Sequence, residues 1–164
     1  MKDALKQIEK KLDSQDFIGL DRVKEEIPGS ASGFYWIYTN LTLKKFAAAA
    51  APSNRVHIDC AKLADIPSGL KHIIRQTAVE YWCIYNWKGK KLRNRIVSEF
   101  TNTDGKTGKL ALQRCFNEAD FKVKYISCTS ANGQHGVSET YDTLRRDLER
   151  VWRLNSGWPF LCRR

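Results

Sequence analysis

The sequence predicts an α+β or α/β domain built around a small mixed sheet. Strand-like and helix-like segments alternate along the 164 residues, and only a few of them read as strands. The length is that of one domain able to bury a core. Composition agrees, with 42% hydrophobic and 11% aromatic residues, as in a globular chain.

Residues 2–13 place Leu5, Ile8 and Leu12 at helical spacing with charges on the other face, which predicts an N-terminal helical segment within residues 1–26. "IPGSASG" (27–33) clusters Pro, Gly and Ser and reads as a break. "FYWIYTNLTL" follows, aromatic and β-branched, and reads as a strand. "AAAAAPSNR" (47–55) suits either a short helix stopped by Pro52 or a connecting loop. "RVHIDC" reads as a short strand, and "LADIPSGLKHIIRQTA" as a helix capped by Ser68 before Leu70, Ile73 and Ile74.

A strand is expected over 79–86, then a basic turn, then a helix from about 91 to 100 with Leu92, Ile96 and Phe100 as its buried stripe. "TNTDGKTGKL" (101–110) is a polar loop that lacks the Walker spacing of a phosphate loop. "LALQRCFN" reads as helical, and "FKVKYISC" alternates as a strand with Phe121, Val123 and Tyr125 on one face. A polar loop, "TSANGQHGVSET", leads to a last helix over 139–154 striped by Tyr141, Leu144, Leu148, Val151 and Trp152.

The net charge of +10 is unevenly spread. Residues 1–27 carry six basic and seven acidic side chains, whereas residues 81–124 carry ten basic against four acidic. A concentrated positive field attracts polyanions and points to nucleic acid as partner. No stretch is long and apolar enough to span a membrane, and the charged N-terminus lacks the apolar segment of a secretory signal. A cytoplasmic protein is therefore expected. Five scattered cysteines without a CxxC pair indicate free thiols rather than a zinc site or a disulfide framework.

Gly33-Phe34-Tyr35, on a strand after the Pro/Gly break, resembles the first motif of the GIY-YIG nucleases. Tyr85-Asn86-Trp87 stands in the place of their second motif, with Leu92 seven and Arg95 ten residues after Tyr85, at the family's intervals. Glu149, Pro159 and Leu161 in "LERVWRLNSGWPFLC" match the family's late glutamate and the proline that follows it. The resemblance covers residues 27–162. Trp87 replaces a glycine, Asn86 an aliphatic residue, Glu99 a common histidine and Cys162 a common asparagine. About fifty residues separate Tyr35 from Tyr85, which implies an insertion over about 41–78 in an otherwise single domain, residues 1–164.

The resemblance implies a small, mainly antiparallel sheet flanked by helices and a magnesium- or manganese-dependent endonuclease, a hydrolase acting on DNA. Tyr35 or Tyr85 would orient and deprotonate water, Arg95 would hold the phosphate, and Glu149 would be the sole protein ligand of the metal. Lys88, Lys90, Lys91 and Arg93 would clamp the DNA backbone. One site cuts one strand, so cleavage of a duplex would need a homodimer or two binding events.

Simpler readings of the same residues remain open. Tyrosines in aromatic strands are usually core residues with the hydroxyl at the rim. Lysines in a turn are usually solvated. Glu149 lies four residues from Arg145 and from Arg153, so helical ion pairs of roughly 0.2–0.5 kcal/mol each also explain it. Arg95 and Glu99 can pair in the same way. His57, His72 and His135 lack metal-ligand spacing. A non-catalytic nucleic-acid-binding module on the same fold, or a basic protein-interaction domain, are the alternative functions.

Overall fold

A computed structural model describes residues 2–65, 72–74, 80–101, 110–128 and 140–162. His135, Ser68 and most of the two polar loops lie outside them. The described elements run α1 (Lys2–Ser14), β1 (Ile18–Gly19), α2 (Val23–Glu26), β2 (Gly33–Thr39), α3 (Leu43–Ala47), α4 (Cys60–Asp65), β3 (Trp82–Gly89), α5 (Leu92–Thr101), β4 (Phe121–Ser127) and α6 (Thr140–Ser156). Short 3-10 turns lie at Leu20–Arg22, Leu112–Arg114 and Glu118–Asp120.

The sheet has the order β1-β4-β2-β3, and every strand pair in it is antiparallel, so the fold is α+β and the mixed sheet is corrected. The strand expected at "RVHIDC" is absent: residues 53–57 bend, held by Asn54, whose Oδ1 accepts from the Val56 and His57 backbone N–H groups. That asparagine forms its own local turn, which outcompetes a ladder. "LALQRCFN" makes only one 3-10 turn, entered through Ala111 at φ 45°. The expected strand 79–86 begins later, at Trp82, and reaches Gly89.

β2 is buried on both faces. On one, Tyr35 and Ile37 join Val123 of β4 and are covered by Leu92, Ile96 and Phe100 of α5. On the other, Phe34 and Trp36 meet Leu5, Ile8 and Leu12 of α1 and Leu148 and Trp152 of α6. Each such large apolar side chain contributes roughly 1.5–3 kcal/mol on burial. α1 is tied to the sheet at its C-terminus, where Lys124 Nζ donates to the Leu12 carbonyl at 2.6 Å, a cation where the helix dipole favours one.

Gly33, at φ +149°, has no room for a Cβ, which would run into the Ile126 carbonyl oxygen. The glycine of the "GFY" motif is thus required by the close pairing of β2 with β4.

The β2–β3 register shifts between Ile37 and Tyr38: Ile37 pairs with Tyr85, but Tyr38 pairs with Cys83. Ile84 is the extra residue of a bulge, and it reverses the parity of everything after it. Tyr85 and Trp87 therefore face α5 with Tyr35, while Asn86 and Lys88 face α6 beside Trp36 and Phe34.

Candidate functional site

Tyr35, Tyr85 and Arg95 converge on one carboxylate, that of Glu99. Arg95 Nη2 stands 2.9 Å from Glu99 Oε1, an i,i+4 pair on α5. The hydroxyls of Tyr35 and Tyr85 donate to the same oxygen at 3.4 and 3.5 Å. Glu99 Oε2 accepts from the Leu110 backbone N–H at 3.1 Å. The tyrosine rings lie 6.1 Å apart. α5 is set at the right height because its first N–H, that of Leu92, donates to the Ala31 carbonyl at 2.8 Å.

Burial governs the electrostatics of this cluster. It pushes the Glu99 carboxyl above the ordinary carboxylate range, against the opposing pull of Arg95 and the Leu110 N–H. It also raises both tyrosines well above 10, with Tyr85 and Glu99 adding to the effect at Tyr35, and Glu99 and Cys162 adding to it at Tyr85. In this arrangement the two tyrosines are neutral donors that orient a carboxylate; phenolate is disfavoured. Arg95 is the member that reaches solvent, its side chain 30% exposed, and its buried Nε makes no hydrogen bond.

Glu149 is not part of that cluster. It projects from α6 onto the opposite face of the sheet, where Arg153 Nη2 stands 2.7 Å from its Oε1 and Lys88 Nζ 3.3 Å from its Oε2. Arg153 is the centre of this second group. Its Nε donates to Asn86 Oδ1 at 2.8 Å and its Nη2 to the Asn86 carbonyl at 2.9 Å. Its guanidinium lies 5.5 Å from the Trp87 ring centroid and 4.8 Å from that of Trp158, distances at which a desolvated cation is attracted to the ring. Nη2 also meets Cys162 Sγ at 3.4 Å, and burial pushes that thiol up to about 12, Arg153 opposing.

The four residues that depart from the GIY-YIG pattern thus fall at the centres of these two groups. Asn86, Trp87 and Cys162 all touch Arg153, and Glu99 gathers the tyrosines. Arg153 escaped the sequence reading except as a helical partner of Glu149. No pattern in the sequence announces its contacts with Trp87 and Trp158, which only the tertiary structure brings to it.

Of the expected DNA-contacting residues, Lys90 and Lys91 are exposed beside β3's end, and Arg93 is half-buried with Nη1 on the Lys24 carbonyl at 3.3 Å. Lys88 points to Glu149 instead. His57 is buried and its Nδ1 meets Asn54 Nδ2 at 3.2 Å, while His72 is exposed.

A divalent ion can be tested against this donor set. Among the described residues no three His, Cys, Asp or Glu side chains gather. Glu149 offers a single carboxylate whose Oε2 is buried yet accepts no hydrogen bond, and a cation, the Lys88 ammonium, already stands against it. The buried Arg153 guanidinium also stands 2.7 Å from its other oxygen, so the carboxylate is already compensated and the residues present do not fit a divalent ion.

No helix among the described residues is long and apolar enough to cross a membrane. Comparison of the chain with protein-family models, with curated proteins and with solved structures finds no match.

Proposed function

We propose that the chain is an endonuclease that hydrolyses DNA phosphodiester bonds; the magnesium or manganese dependence that the resemblance implies is tested with it. The observation that carries this reading is the convergence of Tyr35, Tyr85 and Arg95, from β2, β3 and α5, on one buried carboxylate. Residues this far apart in the chain, singled out by motif spacing, meet beside a basic turn. Arg95's planar fork, partly in solvent and oriented by Glu99, is placed to hold a phosphate. Lys90 and Lys91 add non-specific attraction to the strand. The tyrosine hydroxyls fix Glu99 and through it Arg95.

A second reading, DNA binding without cleavage, is favoured by one specific arrangement. Both tyrosines are buried and Glu149 is held between two cations on the other face of the sheet. Purified protein incubated with supercoiled plasmid and Mg²⁺ or Mn²⁺, beside Glu149→Ala and Tyr85→Phe variants checked for folding by circular dichroism, separates the two. The endonuclease nicks plasmid in the wild type and loses this in Tyr85→Phe, which removes one of the hydroxyls that orient the cluster. Salt-sensitive binding with intact plasmid establishes the second reading. Cleavage that survives Glu149→Ala removes the metal role of Glu149, and absence of binding removes both.

A further inference from the structure

We propose that the cleft between α2 and α5 is a second phosphate site, which holds a DNA strand where it leaves Arg95 and passes over the start of α5. This rests on the DNA reading above and adds Lys24 and Asn94 to the residues that touch the strand.

The cleft has a volume of about 450 Å³, within the range of sites that hold small ligands. Lys24 of α2 and Arg93, Asn94, Val97, Ser98 and Thr101 of α5 line it, and among the described residues no carboxylate does. α5 presents its five together because they fall on one helical face, while Leu92, Ile96, Glu99 and Phe100 are buried on the other. On α2, Glu25 does not line the cleft, and Glu26 is engaged by Arg22 at 2.6 Å. The lining is thus cationic and polar, which suits an anion.

Arg93 is the fixed part of this lining. Its Nη1 donates to the Lys24 carbonyl at 3.3 Å, and its Nη2 lies so close to Gly29 that a Cβ there would come within 2.6 Å of it. The guanidinium is held in place with N–H groups to spare, which reduces the ordering cost when an anion arrives. Lys24 and Asn94 are exposed and bring further donors to the same end of the cleft. Ser98 and Thr101 donate their hydroxyl hydrogens to the Arg95 and Val97 carbonyls at 2.9 and 3.0 Å, so they do not compete as anion donors. Arg93 and Arg95 are two residues apart, about 200° around the helix, and exposed Lys90 and Lys91 lie just before them. A helix is about 10–12 Å across and a DNA strand rises about 3.4 Å per nucleotide. The phosphate in the cleft therefore lies roughly three nucleotides from the one at Arg95.

Fluorescence anisotropy of a labelled DNA duplex, titrated in EDTA at several salt concentrations, tests this in wild type, Lys24→Gln, Arg93→Gln and Lys62→Gln. Lys62 is an exposed lysine of α4 and matches the loss of one charge. Lys24→Gln should weaken binding and flatten the slope of log affinity against log salt by about 0.9, the contribution of one neutralised phosphate. Arg93→Gln should do the same while melting as a folded protein, and Lys62→Gln should keep the wild-type slope. Equal slopes in Lys24→Gln and Lys62→Gln, or weaker binding of Lys24→Gln at the wild-type slope, overturn the cleft and leave the DNA reading standing. Absence of salt-sensitive binding in the wild type overturns both.

Discussion

Replacing Glu99 by alanine removes the acceptor on which the Tyr35–Tyr85–Arg95 cluster is built. The Leu110 N–H, held at 3.1 Å, and two buried hydroxyls, held at 3.4 and 3.5 Å, lose their partner in a dry interior. Each such loss costs about 1–3 kcal/mol, with the two long tyrosine bonds at the low end. Arg95 is 30% exposed and can turn to water, so its lost ion pair adds no more than about 1 kcal/mol. Glu99→Ala should therefore destabilise the fold by about 4 kcal/mol, a fall in melting temperature of roughly 8–16 °C for a chain of this size. Equilibrium urea unfolding followed by circular dichroism measures it. A loss under about 1 kcal/mol would show that the cluster is held by packing alone.

The pH dependence of the isosteric Glu99→Gln sharpens the test. Burial raises the folded-state pKa of Glu99, so the folded chain binds that proton more tightly than the unfolded one. Its contribution to stability is complete below the ordinary carboxylate value, about 4.3, and is lost as pH rises through the raised folded value. Glutamine does not titrate, so the cost of Glu99→Gln should be largest in acid and shrink across that window. A cost that grows with pH would mean that Arg95's charge outweighs burial, and the reasoning would fail.

Because burial raises Tyr35 and Tyr85, their stabilising contribution is present below pH of about 10 and is lost above it. In an alkaline titration their phenolate absorbance should emerge only with unfolding, and two tyrosines ionising in the folded protein would contradict it. Arg153→Met leaves Glu149 buried beside a single partly exposed lysine, and should cost about 3–5 kcal/mol in urea unfolding. The double variant Arg153→Met, Glu149→Gln should recover part of that, and no recovery would mean that the network contributes through packing rather than charge. Gly33→Ala drives a methyl into the Ile126 carbonyl at a strained φ, for a loss of about 3 kcal/mol or more; a melting temperature within a degree of wild type would refute the steric account.

Much of the chain is local in origin and was readable without coordinates. The 3.6-residue stripes of Leu5, Ile8 and Leu12 and of Leu92, Ile96 and Phe100 each give a helix within a residue or two of its ends. The alternation in "FKVKYISC" gives β4 with Phe121, Val123 and Tyr125 buried on one side. Failures fell where a local bond beat a weak pattern: Asn54 turned "RVHIDC" away from a strand, and Ala111's left-handed backbone cut "LALQRCFN" to one 3-10 turn. The "GFY" match and the ten-residue interval from Tyr85 to Arg95 single out three side chains, Tyr35, Tyr85 and Arg95, that do meet at Glu99.

Face choice was decided only by the tertiary structure. A strictly alternating β3 would put Tyr85 on the side of Cys83, with Asn86 and Lys88 opposite. The bulge at Ile84 reverses this by one residue, and no periodicity in "WCIYNWKG" announces it. That reversal brings Tyr85 to Glu99 and Lys88 to Glu149. The sequence determined which residue types lie on which elements, since propensity and period are properties of neighbours in the chain. Which carboxylate each of them meets depends on register across the sheet, and register is set by side chains from β2, α5 and α6 packing at the same time.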